Sequence, residues 1–159
     1  MLRFDQGNSR FNFRSVAVVI HENHVLLHQV PSDDFWTLPG GRVEFFEHSD
    51  ETLQRELLEE IDAQCIVGRH LWYAENFFEL AGKNYHEISN FFLVELVSPN
   101  QFPKTASFKG KEEDTNLIFQ WFELAQLSEH NIKPDFLKAG LLDLPLETTY
   151  IKINEISDN

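Results

Sequence analysis

The sequence predicts an α/β fold in which a mixed β-sheet lies between helices, an α/β/α sandwich. Two apolar patterns and their order along the chain carry that expectation. Runs such as Val16-Ala17-Val18-Val19-Ile20 and Asn90-Phe91-Phe92-Leu93-Val94-Glu95-Leu96-Val97 are almost continuously apolar, as strands buried on both faces are. The stretch after Ser49 instead repeats Leu53, Leu57 and Ile61 at a spacing of four, one stripe of an amphipathic helix. Helical segments separate some strands and short turns join others, so hairpins and a crossover must share one sheet.

Taken in order, residues 1–12 are mixed in character and read as a poorly paired lead-in. Residues 13–20 form a buried strand, His21-Glu22-Asn23 a short turn, and residues 25–30 a returning strand. Trp36-Thr37-Leu38 is a short extended piece, with Trp36 expected to pack rather than to stack on a ligand, and Pro39-Gly40-Gly41 stops it in a turn. Ser49 is placed to cap the helix that follows, with Asp50 and Glu51 in the first turn, where the positive end of the macrodipole favours them. Residues 65–80 and 85–97 pair around a turn at Ala81-Gly82-Lys83-Asn84. Residues 98–116, polar and containing Pro99, Pro103 and Gly110, form a long surface loop of a kind often functional or mobile. Residues 117–123 make another strand and residues 124–127 a helical turn. Residues 134–142 are expected as a helix with proline in its first turn, and residues 148–153 as an edge strand.

Composition narrows the function. The 159 residues fit a single domain over residues 1–159, and 42% hydrophobic content with 13% aromatics is globular rather than disordered. A formal charge of −13, from 26 acidic against 13 basic residues, argues against a surface that grips a nucleic acid polymer. A small phosphorylated substrate remains open to an acidic protein, because metal ions and a few local cations can bridge the two. Cys65 is the only cysteine, which excludes an intrachain disulfide and points to a reducing compartment, the cytoplasm. No signal-peptide pattern precedes residue 14 and no apolar run reaches the ~18 residues of a membrane span.

The chemistry concentrates in residues 41–63, GRVEFFEHSDETLQRELLEEIDA. Glu56, Glu59 and Glu60 share an arc about 100° wide beside the apolar stripe. Uncompensated, like charges at such spacings cost ~0.2–0.5 kcal/mol per pair. Hard oxygen ligands so crowded suit Mg²⁺, or Mn²⁺ in its place. For a bare ExxEE triplet, a solvated acidic face would be the better explanation.

The complete spacing favours the first explanation: Gly41, Glu47, Arg55-Glu56-Leu57 and Glu59-Glu60, preceded by Leu38-Pro39-Gly40. This string resembles the Nudix box, whose pattern is G, five residues, E, seven residues, R-E, an aliphatic, any residue, E-E, any residue, G and an aliphatic. It departs at Asp62, where the family has Gly, and weakly at Ala63. Asp tolerates the left-handed conformation better than most residues, but its charge opposes the helix dipole by roughly 0.3–1 kcal/mol.

The resemblance implies the sandwich fold and hydrolysis of a nucleoside diphosphate linked to another group: a nucleotide sugar, ADP-ribose, a nucleoside triphosphate or a dinucleoside polyphosphate. It implies Glu56, Glu59 and Glu60 as metal ligands, with a backbone carbonyl of Gly40 or Gly41. Glu47 is a further ligand or a partner to one, and Arg55 orients a box glutamate. The alternative for Arg55 is a surface pair with Glu59 or Glu51. The general base is Glu59 or one of the loop acids Glu112, Glu113 and Asp114, with Glu113 the foremost of these, unless that cluster is simply solvated. Glu87 is placed to face the cleft. Arg14, Lys83 and Lys111 meet phosphates or are plain surface cations. A homodimer is compatible with the resemblance. The competing function is a Nudix-fold module that binds or regulates through a nucleotide without cleaving it. Isomerisation of a prenyl diphosphate would need a cysteine near a cleft motif, whereas Cys65 directly follows the box helix.

Overall fold

The computed structural model describes residues 1–156. Its strands are β1 (Arg3–Gln6), β2 (Ser9–His21), β3 (His24–Gln29), β4 (Gly40–Arg42), β5 (Cys65–Leu80), β6 (Lys83–Leu96), β7 (Phe108–Lys109), β8 (Ile118–Glu123) and β9 (Thr149–Asn154), with helices α1 (Ser49–Ile61) and α2 (Leu137–Gly140). The sheet is mixed as expected. Its order is β7-β8-β3-β2-β6-β5-β9, with β1 and β4 also paired to β2. The long strand β2 runs parallel to β6, from Ser9 opposite Asn84 to Val19 opposite Val94, and antiparallel to β1, β3 and β4. Two tight hairpins rest on left-handed residues: Glu22 and Asn23 between β2 and β3, and Ala81 and Gly82 between β5 and β6.

Alternation along the strands divides the core in two. Ala17, Val19, Leu26, Val94 and Trp121 pack beneath Leu53, Leu57 and Ile61 of α1. Leu53 and Leu57 are fully buried, and each contributes about 1.5–3 kcal/mol of transfer free energy. On the opposite face Val16, Val18, Leu27, Trp72 and Phe91 meet Leu38, Ile132, Leu137 and Leu141. Trp36 packs edge-on against Phe122, at 4.9 Å between ring centroids.

Four local expectations are corrected. Residues 1–12 are not a loose lead-in: β1 folds back on β2 through Gly7, Phe4 stacks on Phe11, and the Arg10 fork grips Asp5 at 2.7 and 2.9 Å. Pro39-Gly40-Gly41 is not a turn, because β4 pairs there with Arg14, Ser15 and Val16. A Cβ on Gly40 would stand 2.2 Å from the Ser15 carbonyl oxygen, so only glycine lets the two backbones approach. Ser49 is the first helical residue rather than the cap. His48 takes that place with its backbone N–H donating to Glu51, while the Ser49 hydroxyl accepts from Asn90 and its carbonyl from Ser15. The expected helix over residues 134–142 shrinks to one turn, ended near Gly140, where a Cβ would come 2.9 Å from the Trp72 ring. The loop over residues 98–116 carries the short strand β7, anchored by stacking of Phe108 on Phe102 and Phe119.

Candidate active site

Asp62 closes α1 in the left-handed conformation, φ 57° and ψ 35°, its N–H donating to Leu58 while that of Ala63 donates to Leu57. Lys111 lies 3.0 Å from the Asp62 carboxylate and offsets its unfavourable meeting with the helix C-terminus. The same loop residue donates its backbone N–H to the Glu60 carbonyl, tying the loop over residues 98–116 to the end of the acidic turn.

Arg55 organises the acids. Its Nε and Nη2 donate to Glu47 at 2.8 and 3.0 Å, its Nη1 to Glu56 at 2.8 Å and Glu59 at 3.3 Å, and Nη2 also reaches the Arg42 carbonyl. Glu47 additionally accepts from the Thr52 hydroxyl at 2.7 Å and the Glu44 N–H at 3.2 Å. The Arg55 fork holds the Glu47 carboxyl well below its ordinary range, at about 2. Glu47 therefore sits among donors and steadies Arg55 across the turn between β4 and α1.

Glu56 and Glu60 are in the opposite condition. Burial pushes both carboxyls up, Glu60 to about 8; Glu59 and Glu112 add to the rise of Glu56, and Glu56 and Glu112 to that of Glu60. Glu60 is 7% exposed, and its Oε2 has no hydrogen-bond partner among the described residues. A buried acid with an orphaned oxygen beside a second acid lacks positive charge, and a divalent cation fits that need. Among the described residues no three His, Cys, Asp or Glu side chains converge as a ready-made metal centre. Magnesium does not require one, since it usually binds through one or two carboxylates and completes its shell with waters and phosphates.

The other anticipated residues fall around this pair. Glu59 points outward with its side chain 48% exposed. Gly41 presses on Glu56, since a Cβ there would stand 2.1 Å from the Glu56 carboxyl carbon. Glu112, exposed on the loop like Glu113 and Asp114 beside it, is close enough to raise both Glu56 and Glu60. Glu87 does line the cleft, while His86 packs between Phe11 and Phe77.

The acids open into a cavity of about 600 Å³ whose walls include Arg14, Arg42, Tyr85 and Phe78. That is ample for a nucleotide-sized molecule. Sequence reasoning did not place Asn12, His28, Asn76 or Ser89 here, although all four line it. Polar residues at alternate positions of otherwise apolar strands were the available signal. Burial holds His28 neutral, its pKa driven down to about 3.

The model of the NUDIX domain matches residues 12–140. Among similar solved structures, a NUDIX hydrolase from Nitrosomonas europaea is 21% identical over 91% of this chain and 79% of its own, with a TM-score of 0.62. A MutT protein from Bacillus halodurans is 17% identical over 91% of each chain, TM-score 0.61. An ADP-ribose pyrophosphatase from Streptococcus suis is 14% identical over 89% of this chain and 98% of its own, TM-score 0.58. At these identities the likenesses establish the fold.

Proposed function

The chain belongs to the Nudix family, and we propose from this that residues 1–159 form one metal-dependent pyrophosphohydrolase domain. Its substrate is a nucleoside diphosphate linked to a second group, of the kinds the sequence suggested. The observation that carries this reading is the buried Glu60 on the cavity wall, raised in pKa and with an unpartnered oxygen, beside the Arg55-bound Glu56.

Glu56 and Glu60 would hold Mg²⁺ or Mn²⁺, with a backbone carbonyl of Gly40 or Gly41 as a further donor. When bound, the ion supplies charge neutralisation at the diphosphate and a more acidic water. The remaining work belongs to the chain. Arg55, fixed by Glu47, holds Glu56 in place and leaves Glu59 at the rim of the turn. Glu59 is one candidate to take the proton from the attacking water; Glu112 and Glu113, on the loop bound to the Glu60 carbonyl through Lys111, are the others. Arg14 and Arg42 lie on the wall where phosphate oxygens would pass. No helix among the described residues is long and apolar enough to cross a membrane, and the single Cys65 suits a reducing cytoplasm.

The test is incubation with Mg²⁺ or Mn²⁺ and nucleoside triphosphates, nucleotide sugars, ADP-ribose and dinucleoside polyphosphates. Release of a phosphate-bearing product, abolished by EDTA, is the expected result. Binding without a product across the whole set would instead make the protein a nucleotide-binding module. Gly41→Ala is expected to lower kcat by about tenfold or more, because the new Cβ displaces the Glu56 carboxyl. Its melting temperature should stay within a few degrees of wild type, and unchanged kcat would show that Glu56 need not hold this position.

A further inference from the structure

Three polar side chains form a row across the middle of the cleft face of the sheet. Asn12 of β2 stands opposite Glu87 of β6, and Glu87 stands opposite Asn76 of β5. All three line the cavity. Asn12 Nδ2 donates to Glu87 Oε2 at 3.4 Å, and the Ser89 hydroxyl donates to Glu87 Oε1 at 3.2 Å. Asn12 Oδ1 and Asn76 Oδ1 are buried with no partner among the described residues. Asn12 is 2% exposed and Glu87 9%. The row thus offers two buried acceptors without donors, Asn12 Oδ1 and Asn76 Oδ1.

The rows on either side give this one its meaning. Two residues along β2, or roughly 7 Å, Arg14 stands opposite Arg42 of β4. Like charges directly across a strand pair repel. An anion between the two guanidinium groups relieves that repulsion. On the other side, again one row away, Phe78 and Tyr85 stack at 4.9 Å and 9° and line the same cavity. Along one face the order is anion seat, hydroxyl acceptors, aromatic platform. A phosphate, a sugar and a base follow one another in the same order in a nucleotide.

We infer that Asn12, Glu87 and Asn76 read the vicinal hydroxyls of the nucleoside ribose, so that the cleft takes a ribonucleoside diphosphate group and discriminates against its 2′-deoxy counterpart. The donor edge of a purine would lie farther from its phosphate than this row lies from Arg14. The inference rests on reading the cleft as the diphosphate site, and it adds the sugar specificity.

Two measurements test it. Calorimetry in EDTA compares ADP with 2′-deoxy-ADP, and turnover with Mg²⁺ compares ATP with dATP, with ADP-ribose and UDP-glucose as further diol-bearing substrates. The ribo form should bind tighter by about tenfold or more, since a site built for a hydroxyl rejects the analogue lacking it. In Glu87→Ala that preference should fall below about twofold, the loss appearing as a higher KM for ATP. Glu87→Met, close in size and without a hydrogen-bonding oxygen, serves the same comparison should Glu87→Ala fail to melt cooperatively.

Equal binding of ADP and 2′-deoxy-ADP, or a preference that survives both substitutions, would overturn the inference. Discrimination in binding without turnover would uphold it and reject the proposed hydrolase. Turnover with no sugar preference would do the reverse, and neither binding nor turnover would reject both. Glu87-dependent tightening confined to ADP-ribose or UDP-glucose would place the row under the second sugar instead and overturn the assignment to the nucleoside ribose.

Discussion

A Glu56→Gln, Glu60→Gln double variant should lose about 10³-fold or more in kcat, roughly 4 kcal/mol of transition-state stabilisation. It should also fold at least as well as wild type in EDTA. These are the two acids that burial disfavours as anions, and Glu60 has an oxygen with no partner. Making both neutral removes a buried repulsion, whereas truncating them would open a void. Steady-state kinetics with Mg²⁺ and denaturant melts in EDTA check the two halves separately. Glu59→Gln makes the useful contrast, because its side chain is half exposed and shares Arg55 with Glu47 and Glu56. If Glu59 is the base, kcat should fall in that single variant while Mg²⁺ affinity remains unchanged. Wild-type turnover in the double variant would remove the acidic pair from the mechanism.

What was legible in the sequence follows from how local each signal is. Leu53, Leu57 and Ile61 share a face by helical geometry alone, so the box helix and its acids could be read from spacing. Asp62 in a left-handed conformation follows from the chemistry of helix ends. The strand at Gly40–Arg42 was hidden because adjacent glycines signal a turn, while here they serve a close backbone approach. Ser49 looked like a cap because its tertiary partners, Ser15 and Asn90, lie far along the chain. The row of Asn12, Glu87 and Asn76 depends on the parallel register of β2 with β6 and the hairpin register of β5 with β6. No window of consecutive residues contains those registers, so Glu87 could be suspected but its neighbours could not be assigned.

The metal-free protein should be most stable between about pH 4.5 and 6.5, and this profile isolates the acidic pair. Glu60 is raised in the folded state from 4.5 to about 8, so between those values the folded protein holds a proton that the unfolded chain releases. Stability from this group falls as pH rises through that interval, by about 1.4 kcal/mol per pH unit for each proton. Glu56, also raised, adds in the same direction. His28 acts oppositely: lowered from 6.5 to about 3, it leaves the unfolded state with the extra proton, so stability rises with pH across that range. Glu47, lowered from 4.5 to about 2, contributes stability that is present above pH 4.5 and lost below it. From 4.5 to 6.5 the Glu60 and His28 contributions nearly cancel; below, Glu47 and His28 both favour unfolding, and above, Glu60 acts with no opposing contribution from His28. Urea melts in EDTA should therefore show a decline of about 2 kcal/mol from pH 6.5 to 8. Glu60→Gln should abolish that decline while leaving the acid limb intact. Saturating Mg²⁺ should also abolish it in wild type, because an ion that binds only the folded, deprotonated acids stabilises by mass action. Identical profiles for wild type and Glu60→Gln would mean that Glu60 ionises in the fold at no cost, and the cleft would then have no deficit of positive charge for an ion to fill.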